Sequence, residues 1–62
     1  MDHSMNEFEA ILVQHDLIHK GYHDFQLQPG NGCVWAAVRS GAMWLDFYYI
    51  FRDGQIADIV ID

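Results

Sequence analysis

Apolar positions in the first third of the chain recur with the spacing of a helix. Ser4 and Glu7 have the spacing of a capping box, and Gly21, directly after Lys20, is a typical helix stop. These signals predict one helix over residues 5–20. Two sides of this helix are apolar: a broad arc of Phe8, Ile11, Leu12, His15, Ile18, His19 and Tyr22, and a narrower stripe of Ala10, Val13 and Leu17.

From residue 23 onward the pattern changes to extended runs separated by turn residues. The runs cover residues 23–28, 33–39, 42–52 and 55–61. Asp53-Gly54 is a strong two-residue hairpin signal and Ser40-Gly41 is a weaker one, so neighbouring strands should pair antiparallel. The predicted fold is α+β, a single domain over residues 1–62 with one N-terminal helix packed on a four-stranded antiparallel β-meander in the order αββββ.

Counting outward from the turns gives a strand register. We assume two-residue turns at 40–41 and 53–54 and a four-residue loop over 29–32. The predicted pairs then include Leu27 with Val34, Val38 with Met43, Phe51 with Ile56, and Phe47 with Val60. The sheet face that the helix should cover carries Phe25, Leu27, Val34, Ala36, Val38, Met43, Leu45, Phe47, Tyr49, Phe51, Ile56 and Val60.

The other sheet face should be polar if it meets solvent, and it is not. Two explanations stay open. The predicted arrangement could be wrong, through a one-residue shift at a bulge or a last strand that folds back differently, or a second chain could cover an exposed apolar patch. By the same count, that patch consists of Trp35, Trp44, Tyr48, Ile50, Ile59 and Ile61, with Asp46 among them.

Composition indicates that the chain needs stabilisation beyond its own core. The 62 residues are 52% hydrophobic, and the single cysteine excludes an internal disulfide bond. A chain of this length buries only about 60% of the surface that its unfolded form exposes. Small domains usually add a disulfide, a metal ion or a partner subunit, so a metal ion or a partner remains. A symmetric homodimer is the default, with another protein as the other candidate.

Charge and hydropathy exclude two classes of binding partner. The net charge is −6, and the three cations Lys20, Arg39 and Arg52 are scattered, so no basic patch is available for nucleic acid. No apolar run approaches the roughly 20 residues of a membrane span, and no signal-peptide pattern begins the chain. We expect a cytoplasmic protein that binds neither nucleic acid nor membrane.

The helix contains one motif with possible metal chemistry. His15-Asp16-Leu17-Ile18-His19 is a variant of the zinc-binding H-E-x-x-H pattern, with two histidines one turn apart. His23 follows after four more residues, and Cys33 is a candidate fourth ligand. Asp16 is one methylene shorter than the general-base glutamate of that pattern, so hydrolysis is not expected. We expect no cofactor. The alternative is a Zn²⁺ site formed by His15, His19 and His23.

One segment resembles a known structure. Residues 47–56, an aromatic strand that runs into Asp-Gly-Gln-Ile, look like the terminal hairpin of nuclear-transport-factor-like and SnoaL-like domains. The likeness covers about ten residues and implies an antiparallel hairpin, without functional residues to carry over. Size, acidity and two apolar sheet faces also resemble small inhibitor proteins of phages and mobile elements.

The sequence thus predicts a small acidic protein-interaction module without catalytic activity. It should act as a homodimer or as a complex subunit, and inhibition of a partner protein is one form that this role can take. The expected interface is Trp35, Trp44, Asp46, Tyr48, Ile50, Ile59 and Ile61. The alternative is a module that binds a metal through the helix histidines or a small ligand in an aromatic pocket between two subunits.

Overall fold

The computed structural model describes residues 5–62, with side chains from residue 7 onward, and it confirms the predicted fold class. Ser4 of the expected capping box lies outside the described residues. One helix is followed by a single antiparallel sheet of four strands in the order β1-β2-β3-β4. The elements are α1 Met5–His19, β1 Phe25–Pro29, β2 Cys33–Ser40, β3 Met43–Arg52 and β4 Gln55–Ile61.

Glycine ends the helix as the sequence predicts. Gly21 has a φ of 99°, in the left-handed region. Its amide donates to the Ile18 carbonyl at 2.9 Å, and the Tyr22 amide donates to the Leu17 carbonyl at 3.0 Å. These two bonds form a Schellman motif, which satisfies carbonyls that the end of a helix leaves unpaired.

The narrow stripe of the helix, and not its broad arc, packs on the sheet. Val13 and Leu17 are fully buried, and Glu9 on the same side is 6% exposed. Tyr22 alone of the broad arc joins the core, where its ring meets Phe47 edge-on at 5.6 Å. The core contains Val13, Leu17, Val34, Ala36, Val38, Phe47, Tyr49 and Phe51.

Two of the predicted turns are displaced. Gly41 and Ala42 form the second turn, with Ser40 paired to Met43, because Gly41 (φ 64°) takes the first central position of the turn. In the first loop, Gly30 already pairs with Cys33 through a 2.8 Å backbone bond. Both registers therefore shift by two residues, which leaves every side chain on its predicted face. The observed pairs are Leu27 with Ala36 and Val38 with Leu45.

The third turn is confirmed, but the register beyond it changes. Asp53 and Gly54 both have positive φ, 55° and 76°, as a type I′ turn requires, and Phe51 pairs with Ile56. An irregularity then follows at Ala57, where β4 has one residue more than β3. A one-residue slip moves side chains to the opposite face. The pairs beyond it are Ile50 with Asp58, Tyr49 with Ile59, Tyr48 with Val60 and Phe47 with Ile61.

This bulge corrects the prediction at three positions. Val60 lies on the face away from the helix, where the uniform register had placed Ile59 and Ile61. Ile59 instead packs against the core, and Ile61 lies on the helix-facing side beside Phe47, with 58% of its surface exposed. The alternative of a bulge is therefore the correct one for β4, while the apolar patch on the other strands persists.

Candidate functional site

The sheet face away from α1, which we call the outer face, has an apolar centre. The register places Trp35, Tyr48 and Val60 side by side on three neighbouring strands. Trp44 and Ile50 lie on the same face of β3, because side chains of a strand alternate between faces. We call these five residues the outer cluster: Trp35, Trp44, Tyr48, Ile50 and Val60.

Four members of the outer cluster are substantially exposed. Trp44 is 55% exposed, Tyr48 41%, Val60 46% and Ile50 39%. At about 150–250 Å² per aromatic side chain, Trp44 and Tyr48 alone expose roughly 200 Å². With the aliphatic members, the cluster is comparable to the largest apolar patch of a typical monomer, about 300–600 Å², and such patches often serve a function.

Asp46 belongs to this face, as predicted, and it holds one of the tryptophans. The Trp35 indole N–H donates to the Asp46 Oδ1 at 3.1 Å across neighbouring strands. The bond is half-buried, and it restricts the rotation of the ring. A preset aromatic ring loses less side-chain entropy when another surface packs on it.

Two residues of the outer face, Arg39 and Arg52, were not predicted from the sequence. Arg39 pairs directly with Trp44, and Arg52 follows Ile50 on the same side of β3. The Arg39 guanidinium also lies 3.6 Å from the carboxylate of Asp24, the residue before β1. The period-two alternation that identified the tryptophans contains this signal, since 35, 37 and 39 share parity. Arginine is enriched with tryptophan and tyrosine in protein interfaces.

A second apolar surface covers the far side of the molecule. The side of α1 that faces away from the sheet exposes Phe8 by 57%, Ile11 by 49%, Leu12 by 40% and Ile18 by 48%. We call these four residues the helix arc. Helical spacing in the sequence indicates this arc, but it does not indicate that the narrow stripe is the buried side.

The histidines of the alternative metal site are all exposed. His15 and His19 lie one turn apart on α1, and His23 follows the helix beside an open cleft of about 420 Å³ that also includes Asp24 and Arg39. Within the described residues, no group of three or more His, Cys, Asp or Glu side chains is arranged to hold a metal ion. Cys33 is a half-buried free thiol at the start of β2.

Comparison of the chain with protein-family models, curated proteins and solved structures finds no match in any of the three. Over the described part of the chain, no helix is long and apolar enough to cross a membrane. Any statement about function therefore depends on the geometry and chemistry of this chain's own residues.

Proposed function

We propose that the chain is a non-catalytic protein-interaction module that forms a homodimer through its outer face. The observation that supports this proposal is the outer cluster, an aromatic and aliphatic patch on the sheet face that α1 leaves uncovered. Aromatic anchors of this kind supply most of the binding energy of protein interfaces. A homodimer also supplies the partner subunit that so short a chain usually requires.

Charge on the outer face favours a second copy despite the net charge of −6. Both arginines of the chain lie on this face, Arg39 toward one end and Arg52 toward the other, together with Asp46, Asp58 and Asp62. Charges of both signs can pair across a two-fold axis, so two outer faces are not simply repulsive. The excess of negative charge is therefore not concentrated where the copies would meet.

The size of the outer face is sufficient for a weak contact that depends on protein concentration. Four strands about 4.8 Å apart and about eight residues long, at about 3.4 Å each, give a face of roughly 500 Å². Two such faces bury on the order of 1,000 Å² in total, without the extra area that protruding side chains add. This total area lies at the lower end of the range for biological interfaces. We therefore expect a dimer with a dissociation constant that protein concentration can reveal.

Trp44→Ala tests the proposal most simply. Truncation of an interface anchor of about 2 kcal/mol or more should raise the dimer dissociation constant at least about thirtyfold in sedimentation velocity. Met43→Ala is the matched control, because Met43 is the preceding residue, is 64% exposed and lies on the opposite sheet face. Its dissociation constant should stay within about twofold of the unmodified protein. Equal effects of the two substitutions would contradict an outer-face interface.

Other interfaces give different results in the same experiment. Ile11→Glu puts a charge in the middle of the helix arc and should leave the mass unchanged. If Ile11→Glu abolishes the dimer and Trp44→Ala does not, the helix arc is the interface. A dimer that forms only with added Zn²⁺ and dissociates with chelator would support the metal alternative at the helix histidines. Inhibition of a partner protein and a cytoplasmic location stay predictions.

A further inference from the structure

Strand β4 forms one edge of the sheet, and within residues 5–62 no strand pairs with its far side. The Asp62 amide donates to the Asp46 carbonyl at 2.9 Å. In an antiparallel ladder, this bond makes the enclosed residues, Phe47 and Ile61, a pair that exchanges no hydrogen bonds. The N–H and C=O groups of Ile61 therefore point away from β3, toward the open edge.

The same alternation directs the backbone of Ile59 to the edge. Its amide accordingly donates to the carboxylate of the preceding residue, Asp58, at 2.9 Å. Val60 lies between the two isoleucines, and its backbone groups face β3. The edge thus offers the carbonyl of Ile59 and both backbone groups of Ile61, while the Ile59 amide is bonded to the exposed side chain of the adjacent Asp58.

The side chains along this edge set the charge of a suitable partner. Asp58, Val60 and Asp62 alternate on the outer side, so two carboxylates flank one apolar side chain that is 46% exposed. Ile61 on the inner side is 58% exposed. The opposite edge of the sheet is less suited to strand addition, because β1 has only five residues and ends in Pro29.

We propose that the β4 edge binds an extended segment of another protein by antiparallel strand addition. The segment pairs an apolar residue with Val60 and carries Lys or Arg two positions before and two positions after it. These basic side chains face Asp58 and Asp62, while its two intervening residues bond to the backbone of Ile59 and Ile61. Strand addition of this type takes affinity from backbone hydrogen bonds and specificity from alternate side chains.

A second copy of this chain is a poor occupant of the same edge. Two β4 strands paired about Val60 would put each Asp58 opposite the Asp62 of the other copy. Like charges directly opposite each other destabilise a strand pair, and each copy has a net charge of −6. A basic segment converts both repulsive pairs into attractive ones. The outer-face homodimer leaves the backbone groups of this edge open, although the two sites share the side chains of Asp58 and Val60.

The probe is a blocked, fluorescein-labelled peptide with the core Lys-Ile-Val-Ile-Lys between threonines, followed by fluorescence anisotropy. Replacing both lysines by glutamate should weaken binding at least about tenfold. On the protein, Asp58→Asn should weaken binding about threefold, since cross-strand charge pairs contribute about 0.2–1 kcal/mol each. Asp53→Asn is the matched control, because it removes the same charge at an exposed turn and should change binding less than about 1.5-fold.

Backbone methylation of the peptide separates strand addition from general charge attraction. N-methylation of an isoleucine removes a donor that the proposal pairs with β4 and should abolish binding. N-methylation of the central valine, whose N–H points away from β4 in the antiparallel arrangement, should leave binding within about threefold. The amide of Ile61 should also exchange its hydrogen more slowly with peptide bound.

Four results would overturn the proposal. One is no binding of the lysine peptide at millimolar concentration, and another is equal binding of the lysine and glutamate peptides. The third is tolerance of the isoleucine methylation. If Trp44→Ala removes peptide binding while Asp58→Asn does not, the peptide binds the outer cluster and the edge proposal is wrong. The oligomeric state is measured without peptide, so failure of either proposal leaves the other testable.

Discussion

At the scale of single residues, one buried hydroxyl group connects the sheet to the helix. Tyr49 is fully buried in β3, and its hydroxyl donates to the Asp16 Oδ2 of α1 at 2.6 Å. The Lys20 ammonium donates to the same oxygen at 2.8 Å. A buried hydroxyl without a partner is costly, so this bond favours one position of α1 on the sheet.

Tyr49→Phe should therefore destabilise the protein. A hydrogen bond to a charged acceptor contributes about 1.5–3 kcal/mol, and the half-exposed position of Asp16 places the expected loss at the lower end, about 1–2 kcal/mol. Chemical denaturation measures this change. Tyr48→Phe is the control, because Tyr48 is the neighbouring residue with an exposed ring on the outer face, and it should cost less than about 0.5 kcal/mol.

Asp16 should make the stability depend on pH in the acid range. Burial alone would raise its pKa, but hydrogen bonds from Lys20 and Tyr49 outweigh burial, and the pKa lies below the ordinary 3.8. The stabilisation is then complete above the unfolded pKa of about 3.9, and it is lost as pH falls through the lower folded value. Asp16→Asn should remove this part of the acid dependence, and an unchanged acid limb in denaturation curves would contradict the assignment.

Tyr49 should contribute in the opposite direction at alkaline pH. Burial, followed by the hydrogen bond to Asp16, raises its pKa well above the ordinary 10.0. Above pH 10 the unfolded chain loses this proton while the folded protein keeps it, so the free energy of unfolding should fall as pH rises. Tyr49→Phe should show a smaller fall between pH 10 and 11 than the unmodified protein does.

At the scale of helices and strands, turn and capping residues in the sequence correctly predicted the end of α1 and the last hairpin turn. Gly21 ended the helix and Asp53-Gly54 formed the type I′ turn, because each needs a backbone conformation that few residues adopt. The position of Gly41 within its turn was wrong by one residue, since glycine can occupy either central position of a hairpin turn. A one-residue error in the turn shifts the register by two residues, so it left the sheet faces intact.

Two features depend on packing, and the sequence pattern does not determine them. Helical periodicity identified both apolar sides of α1. Which side is buried depends on how the helix packs on the sheet, and the buried side contains Val13 and Leu17. The sequence around the bulge at Ala57 contains no residue that distinguishes it from a regular strand. Both features affect the candidate site. The packing of α1 leaves the helix arc exposed, and the bulge puts Val60 on the outer face in place of Ile59 and Ile61.

A pair of substitutions tests the bulge and the interface together. Val60→Asp introduces a charge on the outer face and should dissociate the dimer, since an unpaired buried charge is costly. Ile61→Asp, one residue later and 58% exposed on the other face, should leave the dimer intact. Sedimentation velocity compares the two variants. The reverse result, loss of the dimer with Ile61→Asp only, would support the uniform register without a bulge.

At the scale of the whole molecule, both layers, α1 and the sheet, expose apolar surface on the side that faces away from the core. The helix arc lies on one side and the outer cluster on the other, and the core between them is a single layer of side chains. A domain of 62 residues has little core with which to offset the entropy of folding. The proposed homodimer would bury the outer cluster against a second copy and enlarge that core, so we expect stability to rise with protein concentration.

The most direct test of the central claim is the absolute mass of the unmodified protein in solution, measured by light scattering across a concentration series. The outer-face homodimer predicts a mass that approaches twice the 7.2 kDa of one chain as concentration rises, with or without a metal chelator. A constant mass of 7.2 kDa up to millimolar concentration would contradict self-association through the outer face.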